Sequence, residues 1–321
     1  MSLLPGAQLL ARTGGLGRNE WLDIRRQGIG GSEAAAIAGL DPWLSPLRVY
    51  YDKLGELCDD DQDSEPMRWG RRLEDVIARE FAERTGMRVW RRNAVLRSVT
   101  HPWMLANLDR LVREDDGGVG PLEVKTATEN GARAWRADEE LPDRVFCQVQ
   151  HYLAVTGCAF AWVAVLLAGT EFRMVRVERD EVAIAALRDA EDEFWQRVLQ
   201  RRPPAADGSE ATTRTLQALH ARPSSPSMDL DEEARELLSA HAAARSLEAH
   251  YHTRRTEMEN RLRQMLGDAE EGRLGERVVV TWRAFERARV DVKALREKEP
   301  ELAERFTVVE ESRRLLVKGL A

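Results

Sequence analysis

The residues best suited to chemistry are an aspartate and an acid–lysine pair: Asn107-Leu108-Asp109, then thirteen residues, then Glu123-Val124-Lys125. In a β-strand residues i and i+2 share a face, so Glu123 and Lys125 project together while Val124 turns toward a core. Between the two motifs, Asp115-Asp116-Gly117-Gly118 is a turn sequence that folds the Asp109 strand back beside the Glu123 strand. Two carboxylates and the Val124 carbonyl at the end of a sheet are hard oxygen ligands, suited to Mg²⁺ or Mn²⁺. An adjacent ammonium can orient or deprotonate a water and offset charge on a phosphate. The pattern predicts metal-assisted phosphodiester hydrolysis. Its competitor is the exposed face of an ordinary amphipathic hairpin, and the spacing alone does not separate the two.

Three further segments favour the chemical reading. Glu74, in Arg68-Trp69-Gly70-Arg71-Arg72-Leu73-Glu74, is a candidate third carboxylate at the metal, or else a solvated helix-face glutamate. Gln148 and Tyr152 are i, i+4 on one helix face, where the amide can hold a water or a phosphate oxygen, or make an interhelical hydrogen bond. Gly28-Ile29-Gly30-Gly31-Ser32-Glu33 precedes the small-residue helix Ala34–Ala38. Backbone N–H groups there, with Ser32 and Arg25 or Arg26, can receive a phosphate. The plainer alternative is a helix N-cap at Ser32. Trp21 is a candidate for stacking on a terminal base.

These residues need elements to position them. A helix is predicted over Met67–Arg84, with Leu73, Ile77 and Phe81 on one stripe and Gly86 just past its end. Strands follow at Arg88–Arg97, Trp103–Val112 and Pro121–Thr126, then a helix over Asp143–Thr156 and a buried strand over Ala159–Leu167. Glu171–Val177 reads as its hairpin partner, and a helix from about Glu181 to Gln200 closes the domain. The order predicts an α/β fold with a mixed central sheet flanked by helices. Residues 1–205 form this domain, 206–226 are a Pro/Ser/Gly-rich linker, and 227–321 form an α+β extension. The extension opens on a long helix, capped by Asp229 and stopped by Gly267, with apolar residues from Leu230 to Met265 at three-to-four spacing. It must pack on its own domain or on a partner. Short strands at Arg277–Arg283, Phe306–Val309 and Arg314–Lys318 surround a helix near Val292–Arg305.

Composition bounds the remaining possibilities. The 321 residues are 43% hydrophobic and 32% charged, which excludes wholesale disorder. No apolar run is long enough for a bilayer span, and the start, Met1-Ser2-Leu3-Leu4-Pro5, lacks the features of a secretory signal. Cys58, Cys147 and Cys158 are scattered, which predicts a reducing cytoplasm, bacterial or phage-infected, and no iron–sulfur or structural zinc site. The six histidines show no paired-ligand spacing, and there is no GxxxxGK[ST] loop for an ATP-driven helicase. Basic residues are 43 Arg and 5 Lys, so Lys125 is the only lysine between Lys53 and Lys293. The net charge of −7 does not exclude DNA, because phosphate contact depends on a local basic surface. It predicts binding confined to a cleft.

From about Trp21 to Trp195 the sequence resembles the YqaJ-type viral recombinase family, relatives of phage lambda exonuclease. The matching segments are Arg25–Glu33, Met67–Glu74, His101–Asp109, Leu122–Thr126 and Gln148–Tyr152, in the family's order and spread over a little more than half of the chain. The resemblance implies the PD-(D/E)XK nuclease core and an exonuclease that resects double-stranded DNA from 5′ ends with Mg²⁺. It implies Asp109 and Glu123 as metal ligands, Lys125 serving the attacking water, and Glu74 and Gln148 completing the site. Trp21, Arg25 and Ser32 match positions near the entering 5′ end, with the 5′-phosphate on Arg25 and Ser32 and Arg26 as the alternative. It also implies a single-strand annealing protein as partner and a homo-oligomer, a trimer in the best-known member. Competing expectations are an endonuclease of the same fold in restriction or repair, and a non-catalytic DNA-binding scaffold.

Overall fold

The computed structural model describes residues 4–57, 64–136, 141–309 and 313–318; Cys58 and the first three residues of the chain lie outside this set. The chain divides into a unit ending at His220 and a second beginning at Ala221. The first opens with β1 (Ala7–Arg12), α1 (Arg18–Arg25), β2 (Ile29–Gly30), α2 (Gly31–Ile37) and α3 (Pro46–Leu54). Next come α4 (Glu65–Thr85), β3 (Arg88–Trp90), β4 (Ala94–Ser98), β5 (Met104–Asn107), β6 (Arg110–Arg113) and β7 (Val119–Ala127). It continues with α5 (Glu129–Arg136), α6 (Asp143–Thr156), β8 (Phe160–Leu167), β9 (Glu171–Glu178), α7 (Glu181–Leu199) and α8 (Glu210–Leu219).

Two of the expected strands are broken. The segment 88–97 is β3 and β4, interrupted where Asn93 takes a positive φ of 46°. The segment 103–112 is β5 and β6, interrupted at Leu108 and Asp109. The halves go to different sheets. One sheet has the order β1-β4-β5-β2 and the other β3-β6-β7-β8-β9, so two sheets stand where one central sheet is expected. Alternating side chains explain why unbroken strands were legible: both halves keep apolar residues on a core face, and the break itself has little hydrophobic signature. Each sheet is mixed, with β2 parallel to β5 and β7 parallel to β8.

The five-stranded sheet is covered on both faces. Ile77, Ala78 and Phe81 of α4 pack with Val112, Leu122, Val124 and Ala164. On the opposite face Val149 and Leu153 of α6 pack with Leu111, Val163 and Val165. Neighbouring residues such as Leu111 and Val112 thus enter different clusters, as the two-residue period of a strand requires. Ser64 caps α4 through a bond from the Met67 N–H, and Gly86, at φ +71°, ends it. The protein is therefore α/β, with mixed sheets flanked by helices.

The expected linker is not featureless. Ser209 caps α8 by accepting from the Thr212 N–H at 3.0 Å, and Ala211, Thr212 and Thr215 are buried, so ordered structure in the first unit continues past residue 205. The Pro and Gly residues that mark a loop flank the helix, at 203–208 before it and at 223 and 226 after it.

In the second unit α9 (Glu232–Leu266) is a 35-residue helix capped by Asp231 rather than Asp229, and none of its residues is buried. A two-stranded sheet follows, β10 (Glu271–Leu274) with β11 (Arg277–Thr281). The helix expected near 292–305 is two, α10 (Val292–Lys298) and α11 (Pro300–Arg305), because Pro300 cannot donate to a continuing helix. Residues 306–309 and 314–318, expected as strands, have no regular structure. Among the described residues no helix is long and apolar enough to cross a membrane.

Candidate active site

The site forms where β6 stops pairing with β7. Their ladder runs from Arg113↔Val119 to Arg110↔Leu122. One residue earlier, Asp109 replaces the ladder partner with its side chain, and the Val124 N–H donates to Asp109 Oδ2 at 2.9 Å. A strand residue's N–H and C=O leave on the same side, so the Val124 carbonyl faces this same edge. The strand break that puts Asp109 outside both sheets is what frees its carboxylate to do this.

Glu123 and Lys125 project together from β7, as their spacing predicts. Lys125 Nζ is 2.6 Å from Glu123 Oε1. Gln148 on α6 joins both: its Nε2 donates to Glu123 Oε1 at 2.6 Å, and its Oε1 accepts from Lys125 Nζ at 2.8 Å. Gln148 Nε2 also donates to the Tyr152 hydroxyl at 2.9 Å, and that hydroxyl donates to the Asn107 carbonyl at 3.2 Å. Both amide hydrogens of Gln148 are therefore engaged. Its side chain is a strut that fixes the acid and the lysine, not a free donor for a water or a phosphate as the sequence allows.

Glu123 is 3% exposed, and its second oxygen, Oε2, is buried without a hydrogen-bond partner. A buried carboxylate oxygen left unpaired costs free energy unless a cation or donor meets it. Withdrawal from water, and next the Glu123 charge, push the Asp109 carboxyl well above the usual aspartate range, against the opposing Val124 N–H and Lys125. Burial, and next the same glutamate, also push the Tyr152 hydroxyl well above its ordinary value, so Tyr152 is a hydrogen-bond relay rather than a proton donor near neutrality. Among the described residues no three His, Cys, Asp or Glu side chains converge as a ready-made cation cage. The oxygen set at the edge is two carboxylates and a carbonyl, and the orphaned Glu123 Oε2 makes it fit a hard divalent cation.

Glu74 stands near enough for its charge to act on Asp109, but Arg110 engages it. Its carboxylate pairs with Arg110 Nη1, while Asp75 holds Arg110 Nη2 at 2.5 Å, so Glu74 is not among the residues lining the cavity described next. Arg110, nearly buried, follows Asp109 and draws Glu74 to itself, a competition the helix-face pattern does not reveal.

A cavity of about 210 Å³ is lined by Asp109, Glu123 and Gln148 together with Trp21, Arg25, Ser32 and Tyr152. Trp21 and Arg25 are i, i+4 on α1, which puts the guanidinium 5.4 Å from the indole centroid. Arg26, one residue on, is turned away: its Nε donates to the Asp52 carbonyl at 3.1 Å, and it does not line the cavity. Arg25 is therefore the cavity's guanidinium and Arg26 ties α1 to α3. Ser32 is inside α2, so the expected cap at Ser32 is replaced by Gly30, whose N–H donates to Glu33 Oε2 at 2.8 Å. Sequence reasoning passed over Glu33, Lys53 and Arg110. Glu33 stands at the third helical position of α2, the usual place of a capping glutamate, which conceals its second role beneath Arg25.

Glycine is required where α2 meets α6. A Cβ on Gly31 would lie 2.5 Å from Tyr152 Cε1 and 3.1 Å from the Gln148 carbonyl oxygen. Gly31→Ala is expected to lower stability by about 1–3 kcal/mol through overpacking. It should also shift the Tyr152 ring, and the effect is read as a lower thermal midpoint. An unchanged midpoint would show that the two helices can part without cost.

The chain is similar to several known proteins. Among solved structures it is similar to the alkaline exonuclease LHK-Exo of Laribacter hongkongensis, at 17% identity and a TM-score of 0.47, covering 57% of this chain and 94% of that one. It is also similar to a phage-related exonuclease from Haemophilus somnus 129PT, at 13% identity and a TM-score of 0.42, covering 54% and 96%. The protein YqaJ of Bacillus subtilis (strain 168) is 34% identical over 319 residues, 98% of either chain. Residues 20–159 match the model of the YqaJ-like viral recombinase domain, the stretch that holds every candidate site residue. By that match and by its identity to YqaJ along nearly its whole length, the chain belongs to the YqaJ-like viral recombinase family.

Proposed function

We propose that this chain is a divalent-metal-dependent exodeoxyribonuclease that resects linear double-stranded DNA from 5′ ends in phage-type recombination, beside a single-strand annealing partner. The observation that carries the reading is the buried, unpartnered Glu123 Oε2, set next to Asp109 and Lys125 at one strand edge. Such an acid pair is unfavourable by itself and suited to a hard cation, and Asp109, Glu123 and the Val124 carbonyl are the groups that would hold Mg²⁺ or Mn²⁺. When bound, the cation supplies Lewis-acid activation of the phosphodiester and of a water. Lys125, fixed between Glu123 and Gln148, orients that water and offsets charge on the phosphate. Arg25 and Ser32 line the same cavity and receive the terminal phosphate, with Trp21 beside the end base.

With Mg²⁺, the purified protein is expected to degrade end-labelled linear duplex and to spare covalently closed circles, releasing a 5′ label before a 3′ label. Equal cutting of the circle would instead support an endonuclease. No cutting with Mg²⁺ or Mn²⁺ would support a DNA-binding scaffold, and early loss of the 3′ label would overturn the polarity.

A further inference from the structure

Behind the cavity three helices each contribute one charge to a buried cluster. Glu33 of α2 accepts from Arg25 of α1, with Oε1 at 2.9 Å from Nη2 and 3.2 Å from Nε. Lys53 of α3 sits 2.7 Å from Glu33 Oε2 and 2.8 Å from Oε1, and also donates to the Arg25 backbone carbonyl at 3.1 Å. The Lys53 side chain is 0% exposed and that of Glu33 1%, whereas the Arg25 side chain is 34% exposed. The cluster thus has two fully enclosed members and one that opens onto the cavity.

Counted over its hydrogen-bonded members its charge does not close, and Asp52, which acts on both Arg25 and Lys53, is a more distant carboxylate without a direct ion pair to either among the described residues. Lys53 and Glu33 alone would make a neutral buried pair, a sufficient device for tying α2 to α3. Arg25 adds a second cation, so the cluster holds two positive groups and one negative. Arg25 spends Nε and one Nη2 hydrogen on Glu33, and its Nη2 lies 3.5 Å from Ser32 Oγ. Among the described residues Nη1 has no hydrogen-bond partner. A guanidinium held from behind with its outer edge free is organised to receive an anion. The surrounding charges act consistently: the cations hold the Glu33 carboxyl down at about 2 against its burial, and Glu33 holds the Arg25 guanidinium up.

We infer that Glu33 and Lys53 are positioning residues: Glu33 aims the Arg25 guanidinium into the cavity, and Lys53 cancels the Glu33 charge so that Arg25 keeps a full positive charge toward a terminal phosphate. The inference rests on the reading of Arg25 given above. It explains why this position is a lysine in a chain that otherwise writes arginine: a compact ammonium fits between a carboxylate and a backbone carbonyl where a planar fork does not. It also gives the cavity a basis for choosing an end. A terminal phosphate carries nearly two negative charges and an internal diester only one, so an Arg25 guanidinium that keeps its full positive charge favours the terminus.

The test is binding without chemistry. The full chain in excess EDTA is titrated into fluorescent duplexes that differ only in a 5′-phosphate or a 5′-hydroxyl, and the ratio of the two affinities is the readout. Lys53→Met leaves Glu33 to neutralise Arg25, and the ratio is expected to fall at least about tenfold. Glu33→Gln frees the guanidinium from its anchor and is expected to lower the ratio while tightening binding to the hydroxyl end, since net positive charge rises. The double variant restores one net positive charge and is expected to recover part of the ratio lost in Lys53→Met. A merely structural cluster would weaken both duplexes together and leave the ratio alone, which would overturn the inference. Should Lys53→Met not fold, Glu33→Gln decides alone by the same ratio. Arg25→Ala separates the two levels: if it keeps the phosphate preference, the reading of Arg25 fails and the inference falls with it. If Arg25→Ala abolishes the preference while Lys53→Met and Glu33→Gln retain it, only the positioning role fails.

Discussion

Glu123→Gln is expected to lower hydrolysis of linear duplex DNA on the order of a thousandfold. The substitution keeps the side-chain shape and removes the charge at the buried oxygen that no protein group satisfies. Lewis-acid stabilisation of a developing phosphate charge is worth several kcal/mol. At about 1.4 kcal/mol per decade, losing most of it gives that factor. The same change should raise the thermal midpoint measured in EDTA, because it removes one of two crowded carboxylates. Activity down and stability up is the signature of a site that stores unfavourable charge for a ligand. If the midpoint falls along with activity, Glu123 is holding the fold and the proposed metal role is wrong. Mg²⁺ or Mn²⁺ should stabilise the unaltered chain and not the variant, a readout independent of turnover.

The second large effect is on stability. His151 is fully enclosed on α6, with Nδ1 2.8 Å from Glu191 Oε1 of α7 and Nε2 2.9 Å from the Leu105 carbonyl of β5. A carbonyl only accepts, and so does a carboxylate, so the two contacts call for a proton on both ring nitrogens. Burial lowers the His151 proton affinity, but Glu191, the Leu105 carbonyl and the more distant Glu33 outweigh it, and the net shift is upward. The sign of the pH effect follows. A raised folded-state pKa contributes stability that is fully present below the unfolded histidine value of about 6.5, and that is lost as pH rises through the folded value. His151→Ala strands Glu191, whose other oxygen is already unpaired, and should cost about 3–5 kcal/mol. The check is denaturant unfolding across pH. Relative to His151→Ala, the unaltered chain should gain most below neutrality and lose that advantage on the alkaline side. A pH-independent difference would show that packing, not charge, holds this junction.

The parts of the site that read clearly from sequence are those fixed by local periodicity. Glu123 and Lys125 alternate on β7, and Gln148 and Tyr152 stack on α6, each pair meeting because of a two-residue or a helical period. What did not read depends on partners distant in the chain. Arg110 captures Glu74 across 36 positions, and Lys53 reaches Glu33 across 20, distances over which no periodic signal operates. Arg26 does not line the cavity because one step past Arg25 turns it toward Asp52. The split strands were hidden for a related reason: β5 and β6 both carry buried apolar residues, and only their pairing partners tell them apart.

That split limits how the gene can change in length. Asn107 belongs to one sheet, Arg110 to the other, and Leu108-Asp109 is the whole of the passage between them. One extra residue there would reverse the inward and outward faces of whichever strand absorbed it. It would also move the Asp109 carboxylate off the Val124 N–H. Insertions and deletions are therefore barred from this two-residue passage and tolerated at the exposed Asp115–Gly117 turn, where the ladder has already closed. Relatives that keep the reaction should differ in length at the turn and agree at the passage, so a sequence survey can read this site by its gaps as well as by its letters.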